Sequence, residues 1–162
     1  MQTPKRNLLC VLLLAGCTTT APEQKPEFGD LAVTQNEMLA GHWQGLNRFP
    51  ARYPMQAVMK SLEGCATVEY VISPQNEVKD VVVVAATNRY FAEAAQDVVK
   101  KWRWSELPKN IISQAIKTQT RFDFCFDTAE QSCATVTPEY SCPASDVIYS
   151  TGSVIKKVIK ST

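Results

Sequence analysis

The sequence predicts an α+β domain: a small three-stranded antiparallel sheet with helices packed on one face, followed by a disulfide-containing C-terminal extension. Three observations predict it. Residues 65–73 and 117–126 alternate between two side-chain classes, and Val78–Ala86 is rich in β-branched residues, the marks of strands. Between them, Tyr90–Trp104 carries Phe91, Ala94, Ala95, Val98 and Trp102 on one helical face and Glu93, Gln96, Asp97, Lys100 and Lys101 on the other. Four cysteines lie in the same stretch and its extension, an even number suited to bridges.

The elements follow in order. In the segment 28–48, Met38, Leu39, Trp43 and Leu46 recur at helix-like spacing and predict a short amphipathic helix. Phe49-Pro50-Ala51-Arg52-Tyr53-Pro54 must be extended, because a residue before proline is pushed out of the α region. Pro54 suits a first helical turn, so Met55–Leu62 predicts a short helix closed by Gly64. In the next strand Ala66, Val68, Tyr70 and Ile72 share one face, and Cys65, Thr67, Glu69 and Val71 the other. Ser73-Pro74-Gln75-Asn76-Glu77 reads as the turn of an antiparallel hairpin into Val78–Ala86. The helix then runs to Trp104, with Pro108 after it. In the last strand Phe122, Phe124 and Phe126 oppose Arg121, Asp123 and Cys125. A three-stranded sheet under helices is the simplest way to bury this pattern, with the last strand beside the first.

The N-terminus indicates the compartment. Lys5 and Arg6 precede an apolar run, Leu8 to Leu14, which is too short to span a bilayer and reads as a secretion signal. Leu14-Ala15-Gly16-Cys17 resembles the bacterial lipobox, in which the cysteine becomes the lipidated N-terminus. The segment 1–16 is therefore expected to be removed and Cys17 acylated, each buried methylene adding about 0.8 kcal/mol of membrane affinity. Thr18, in place of the aspartate that retains lipoproteins at the inner membrane, favours the outer membrane. Residues 17–27 lack large apolar side chains and hold two prolines, and read as a flexible tether with an r.m.s. reach of roughly 17 Å.

Of the six cysteines, Cys10 leaves with the signal and Cys17 carries lipid. Cys65, Cys125, Cys133 and Cys142 remain in an exported, oxidising compartment and allow three pairings. With the last strand antiparallel to the first, Cys65 and Cys125 both point to the outer face, so Cys65–Cys125 is the expected bridge and Cys133–Cys142 closes a loop in the extension, residues 127–162. No C-x-x-C spacing supports a zinc site.

Composition excludes some functions. The 17 basic and 16 acidic groups give a formal charge of +1, without the basic field of a nucleic-acid binder. A single histidine, His42, cannot serve both a catalytic triad and a metal site, and neither a P-loop nor a dinucleotide-binding glycine pattern is present. Glu63, Glu69, Asp80 and Glu93 fall on strand faces, turns and a solvated helix face, where nothing in the sequence pairs them. No enzyme, cofactor or metal is expected.

Six pieces then occur in order: Arg52-Tyr53-Pro54-Met55-Gln56-Ala57, Glu63-Gly64, Ala66-Thr67-Val68-Glu69-Tyr70, Asn76-Glu77-Val78, Phe91-Ala92-Glu93-Ala94-Ala95 and Lys101-Trp102-Arg103-Trp104. In order and spacing they resemble the TonB C-terminal domain, over residues 49–126. The resemblance implies a binding mechanism: TonB accepts a short receptor segment, the TonB box, as an added strand on its sheet edge. By that analogy the accepting edge is Gln119–Phe126, with Gln119, Arg121 and Asp123 on it and Arg52 and Tyr53 near the same groove. For Tyr53, Trp102 and Trp104, core packing outweighs ligand contact.

The departures limit the analogy. His42 lies outside any apolar segment, and the inner-membrane helix and long proline-rich spacer of TonB are not found in this sequence. The resemblance therefore implies a lipid-anchored periplasmic module, facing the periplasm from the outer membrane, whose partners are envelope proteins such as TonB-dependent receptors. The alternatives are an inner-membrane-anchored energy transducer and a structural lipoprotein packed in a larger assembly. The basic end, Val154 to Lys160, reads as a strand or helix on a membrane or partner, or as a solvated tail.

Overall fold

A computed structural model describes residues 28–128, 132–135 and 140–153. The expected signal, Cys17, the tether and the basic end from Val154 lie outside the described residues. The elements are α1 (Met55–Met59), β1 (Gly64–Ile72), β2 (Val78–Ala86), α2 (Arg89–Lys101), β3 (Ile116–Phe126) and β4 (Val147–Gly152), with short 3-10 turns between them. They build one four-stranded sheet in the order β2-β1-β3-β4. β1 is antiparallel to β2 and β3, while β4 runs parallel to β3.

The α+β class and the hairpin match the sequence expectation, but the sheet does not stop at three antiparallel strands. The fourth strand comes from the extension. The N-terminal segment also departs from expectation: it forms two 3-10 turns, Glu37–Leu39 and Gly41–Trp43, in place of an amphipathic helix. Gly41 and Gly45 weaken any helix there. Leu39 is exposed, although Met38, Trp43 and Leu46 are buried as their spacing suggested.

α2 begins where Asn88 caps it, the side-chain carbonyl accepting from the Tyr90 backbone N–H at 3.1 Å. Its buried face is Phe91, Ala95, Val98 and Val99, and it ends at Lys101, so Trp104 falls in the following 3-10 turn. That face covers β1 and β2. Between the layers lie Tyr70, Phe91, Phe122 and Phe124, all fully buried, with Trp43, Trp102 and Trp104 almost so. Phe91 stacks on Phe124 at 4.5 Å between centroids, and Trp102 and Trp104 meet Tyr70 edge-on at 6.1 and 5.9 Å. Such pairs add about 0.5–1.5 kcal/mol each beyond simple burial.

The bridges are Cys65–Cys142 and Cys125–Cys133, which corrects the expected Cys65–Cys125 and Cys133–Cys142 pairing. The reason is register. Cys65 stands opposite Asp123, so Cys125 is its diagonal neighbour. Diagonal positions lie about 7–8 Å apart, too far for the ~3.8 Å between Cβ atoms that a bridge requires. Cys65 instead reaches across 77 residues and Cys125 across 8. In a chain-entropy account the longer closure contributes about 4–5 kcal/mol and the shorter about 2–3 kcal/mol. The larger share thus fastens the extension to β1.

Gly64 marks a close approach at the head of β1. A Cβ there would sit 2.0 Å from Thr87 Oγ1 and 3.0 Å from Phe91 Cε2. Thr87 cannot easily retreat, since its hydroxyl accepts from the Cys65 N–H at 3.0 Å and is placed to donate to the Cys65 carbonyl at 3.3 Å. Gly64→Ala is expected to destabilise the domain by about 2 kcal/mol, measured by denaturant unfolding. A change below experimental error would show that this strand–helix approach is slack.

Candidate functional site at the edge of the third strand

The outer edge of β3 is where strand addition was expected, and it is not open. Along Arg121–Phe126 it pairs with β4, in the register Arg121 to Val147, Phe122 to Ile148, Phe124 to Ser150 and Phe126 to Gly152. Its first half is covered by the N-terminal segment, with Val33 bridged to Lys117, the Thr34 N–H donating to the Lys117 carbonyl at 2.7 Å and the Thr118 hydroxyl to the Thr34 carbonyl at 3.0 Å. The expectation of a free Gln119–Phe126 edge is thereby corrected. Unpaired N–H and C=O groups on an edge attract any extended chain, and here the protein's own segments satisfy them.

The slot that β4 fills narrows along its length. Ile148, Ser150 and Gly152 stand opposite the phenylalanines of β3, on the helix-side face. At the narrow end a Cβ on Gly152 would lie 2.8 Å from Tyr53 Cδ2 and 2.9 Å from Phe126 Cε1. Tyr53 is held there by its hydroxyl, which donates to the Leu62 carbonyl at 2.6 Å, and by ring contact with Phe91, Phe124 and Phe126. Burial, then the nearby Glu63 carboxylate, raise its pKa well above the ordinary tyrosine value. On its other side Tyr53 lines a groove of about 520 Å³ between α2 and the segment 49–56, which runs into the start of α1, with Phe49, Arg52, Met55, Glu93 and Asp97 among its walls. Arg52 and Tyr53 were expected beside the β3 edge; both line this groove, whose walls include no residue of β3.

Residues 50–126 match the family described as Gram-negative bacterial TonB protein C-terminal. This part of the chain belongs to the TonB C-terminal family. No curated protein and no solved structure matches the chain significantly. The family match ends at Phe126, so β4 lies outside the family span, as do Arg48 and Asp146.

Asp146, just before β4, does the fastening. Its side chain is almost fully buried, and Oδ2 accepts from Arg48 Nη1 at 2.6 Å and from Thr120 Oγ1 at 2.7 Å. The threonine hydroxyl has one proton, which it gives to Asp146. Tyr70, 2.8 Å from the same Oγ, must therefore be the donor in that bond. The Arg48 guanidinium also stands 5.7 Å over the Trp102 ring, whose N–H donates to the Phe49 carbonyl at 2.9 Å. Sequence reading singled out none of Arg48, Thr120 and Asp146, because they lie far apart in the chain and carry no spacing motif.

The other predicted site residues are engaged within the TonB-type domain and its extension. Arg121 grips Asp123 with two bonds of 2.7 Å and donates to the Cys142 carbonyl at 3.2 Å, while Asp123 is buried. Donating to the Asp123 carboxylate raises the Arg121 pKa above its ordinary value. Gln119 donates to Glu69 at 2.8 Å. All three hold the sheet or the extension, and Arg52 stays exposed. Among the described residues, no group of three or more His, Cys, Asp or Glu side chains is placed to hold a metal ion.

Two outcomes follow from the Asp146 network. Asp146→Ala leaves Arg48 without its counter-charge, and its side chain is only 20% exposed, so a loss of about 3 kcal/mol is expected in denaturant unfolding. Adding Arg48→Met should recover part of it; equal losses in the single and double variants would refute the pairing. Tyr70 supplies the pH dependence. Burial first, and then the Asp146 charge, raise its pKa, with Thr120 and Arg48 opposing. A group whose folded pKa is raised contributes stability fully below its unfolded value, about 10 for tyrosine, and loses it as pH rises towards the folded value. Stability should therefore fall with increasing alkalinity above about pH 10, and Tyr70→Phe should flatten that fall in alkaline unfolding curves.

Proposed function

We propose that this chain is a lipid-anchored envelope protein whose TonB-type domain binds partner proteins by strand addition, and that it is not an enzyme. The supporting observation is the β3 edge itself: it carries a parallel strand in a slot shaped by Tyr53 and Phe126. An edge that takes one extended segment has the backbone geometry to take another of matching shape. Leu14-Ala15-Gly16-Cys17 supports acylation at Cys17, and Thr18 supports sorting to the outer membrane, with the domain facing the periplasm. In this reading the partners are envelope proteins offering extended segments, TonB-dependent receptors among them.

The filled edge also favours a second reading, a structural lipoprotein that packs against fixed neighbours and takes no added strand. Two measurements separate them. Membrane fractionation with a lipid label is expected to find labelled wild type in the outer membrane and an unlabelled Cys17→Ala variant that does not mature normally. An unlabelled wild type in the inner membrane would sink the lipoprotein reading and favour an energy transducer. Saturable binding of TonB box peptides to the mature protein is expected of the strand-adding module. Copurification with one fixed complex, without any such binding, would establish the structural role instead.

A further inference from the structure

The groove between α2 and the segment 49–56 gathers apolar surface that the core does not use. Phe49 and Met55, both exposed, stand on its walls with Val98 of α2. Large apolar side chains grouped in a concave surface mark a place where something packs. The helix wall is also acidic. Glu93 and Asp97 lie one turn apart on α2 and make no salt bridge among the described residues, although Arg52 and Lys101 border the same space. The chain itself arrives here: Gly152, the end of β4, lies against the Tyr53 ring, and Tyr53 is also a wall of the groove. One residue, Ser153, separates Gly152 from Val154-Ile155-Lys156-Lys157-Val158-Ile159-Lys160. At helical spacing Val154, Ile155, Val158 and Ile159 share one face and the lysines take the rest, whereas an extended chain would divide the four between two faces.

We propose that residues 154–160 fold back into this groove as a short amphipathic helix, laying the valine–isoleucine face on Phe49, Met55 and Val98 and bringing lysines beside Glu93 and Asp97. The dimensions suit it. From Tyr90 to Lys101 the helix wall runs about 17 Å, and seven helical residues cover about 10 Å. So short a helix, rich in β-branched residues, is weak by itself, and the apolar walls are what stabilise it. Weak contacts suffice, because a segment on so short a link meets the groove at an effective concentration of millimolar order. The groove then belongs to the protein's own tail, and a partner that uses it must first displace that tail. Nothing in this docking involves the β3 edge, so it is independent of strand addition and of the anchor at Cys17.

Met55 reports on the groove, since its thioether reacts with peroxide only as far as it is reached. In the mature chain treated with dilute hydrogen peroxide and read by mass spectrometry, Met55 should oxidise about five-fold more slowly than in a chain ending at Ser153. Met38, buried in the core, should react slowly and equally in both. At full length, Ile155→Asp with Ile159→Asp should expose Met55 as fully as truncation does. Glu93→Lys with Asp97→Lys should lose most of the protection, and adding Lys156→Glu with Lys157→Glu should restore part of it. Equal Met55 rates in the full and shortened chains would overturn the docking; should the shortened chain not fold, the chain with Ile155→Asp and Ile159→Asp decides alone. Protection that appears only on vesicles containing phosphatidylglycerol would also overturn it and make the tail a membrane contact. Protection that grows with protein concentration would overturn it in favour of a neighbouring copy in the groove.

Discussion

A buried carboxylate has to be matched, and Asp146 is the constraint around which the parts of this molecule are arranged. Carrying an ionised group out of water costs several kcal/mol unless a counter-charge and hydrogen bonds meet it. The protein meets it from three directions. Arg48 comes from the N-terminal segment, Thr120 from β3, and Tyr70 of β1 reinforces the threonine from behind. Trp102, from the end of the long helix, underlies the arginine and ties back to Phe49. One carboxylate from the extension thus fixes the relative positions of the N-terminal segment, two strands and a helix end. The TonB-type core supplies the tyrosine, threonine and tryptophan, and the flanking segments supply the charges.

The two sides of the sheet handle exposed backbone differently. On the β3 side the chain adds material, an N-terminal bridge at Lys117 and then β4. On the β2 side it distorts what is there. The β1–β2 register slips twice, Asp80 takes a left-handed φ of 46°, and Gln96 of α2 donates to the Val81 carbonyl at 2.6 Å. Bulges and borrowed side chains are how edges are kept from pairing with strangers. Val82 and Val84 can remain exposed along β2 because the backbone beside them is bent. The β3 side is paired without a register slip.

Much of this fold was legible in the sequence, for reasons that also mark where reading stopped. Alternation located β1 and β3, because one face of each is packed under helices, and the Phe91, Ala95 and Val98 pattern located α2. Of the aromatic residues suggested for the core, Trp102 and Trp104 are in it and Tyr53 packs half-buried against it. The N-terminal residues misled because burial at Met38, Trp43 and Leu46 arises from two tight turns that happen to share a helix's spacing. The disulfides were misassigned by a register offset of two residues, which alternation cannot resolve: every second residue faces the same way whatever the offset. β4 left a faint trace in Val147-Ile148-Tyr149, but three residues before Ser-Thr-Gly do not make a strand without a neighbour. The Asp146 network left no trace, since a single aspartate between polar residues is what a loop ordinarily contains.

Where the chain enters the domain and where β4 leaves it bear on how an anchored molecule would present itself. The Phe28 backbone N–H donates to Asp80 at 2.8 Å, near the hairpin end of the sheet where Ile72 pairs with Val78. Gly152 and Tyr53 stand at the opposite end, beside Phe126, whose N–H donates to Glu63 at 2.7 Å just ahead of β1. A nine-residue strand separates these ends by about 30 Å. In the proposed lipid-anchored reading, the hairpin end, where the described chain begins, would lie nearer the anchor than the end bearing Tyr53 and Gly152.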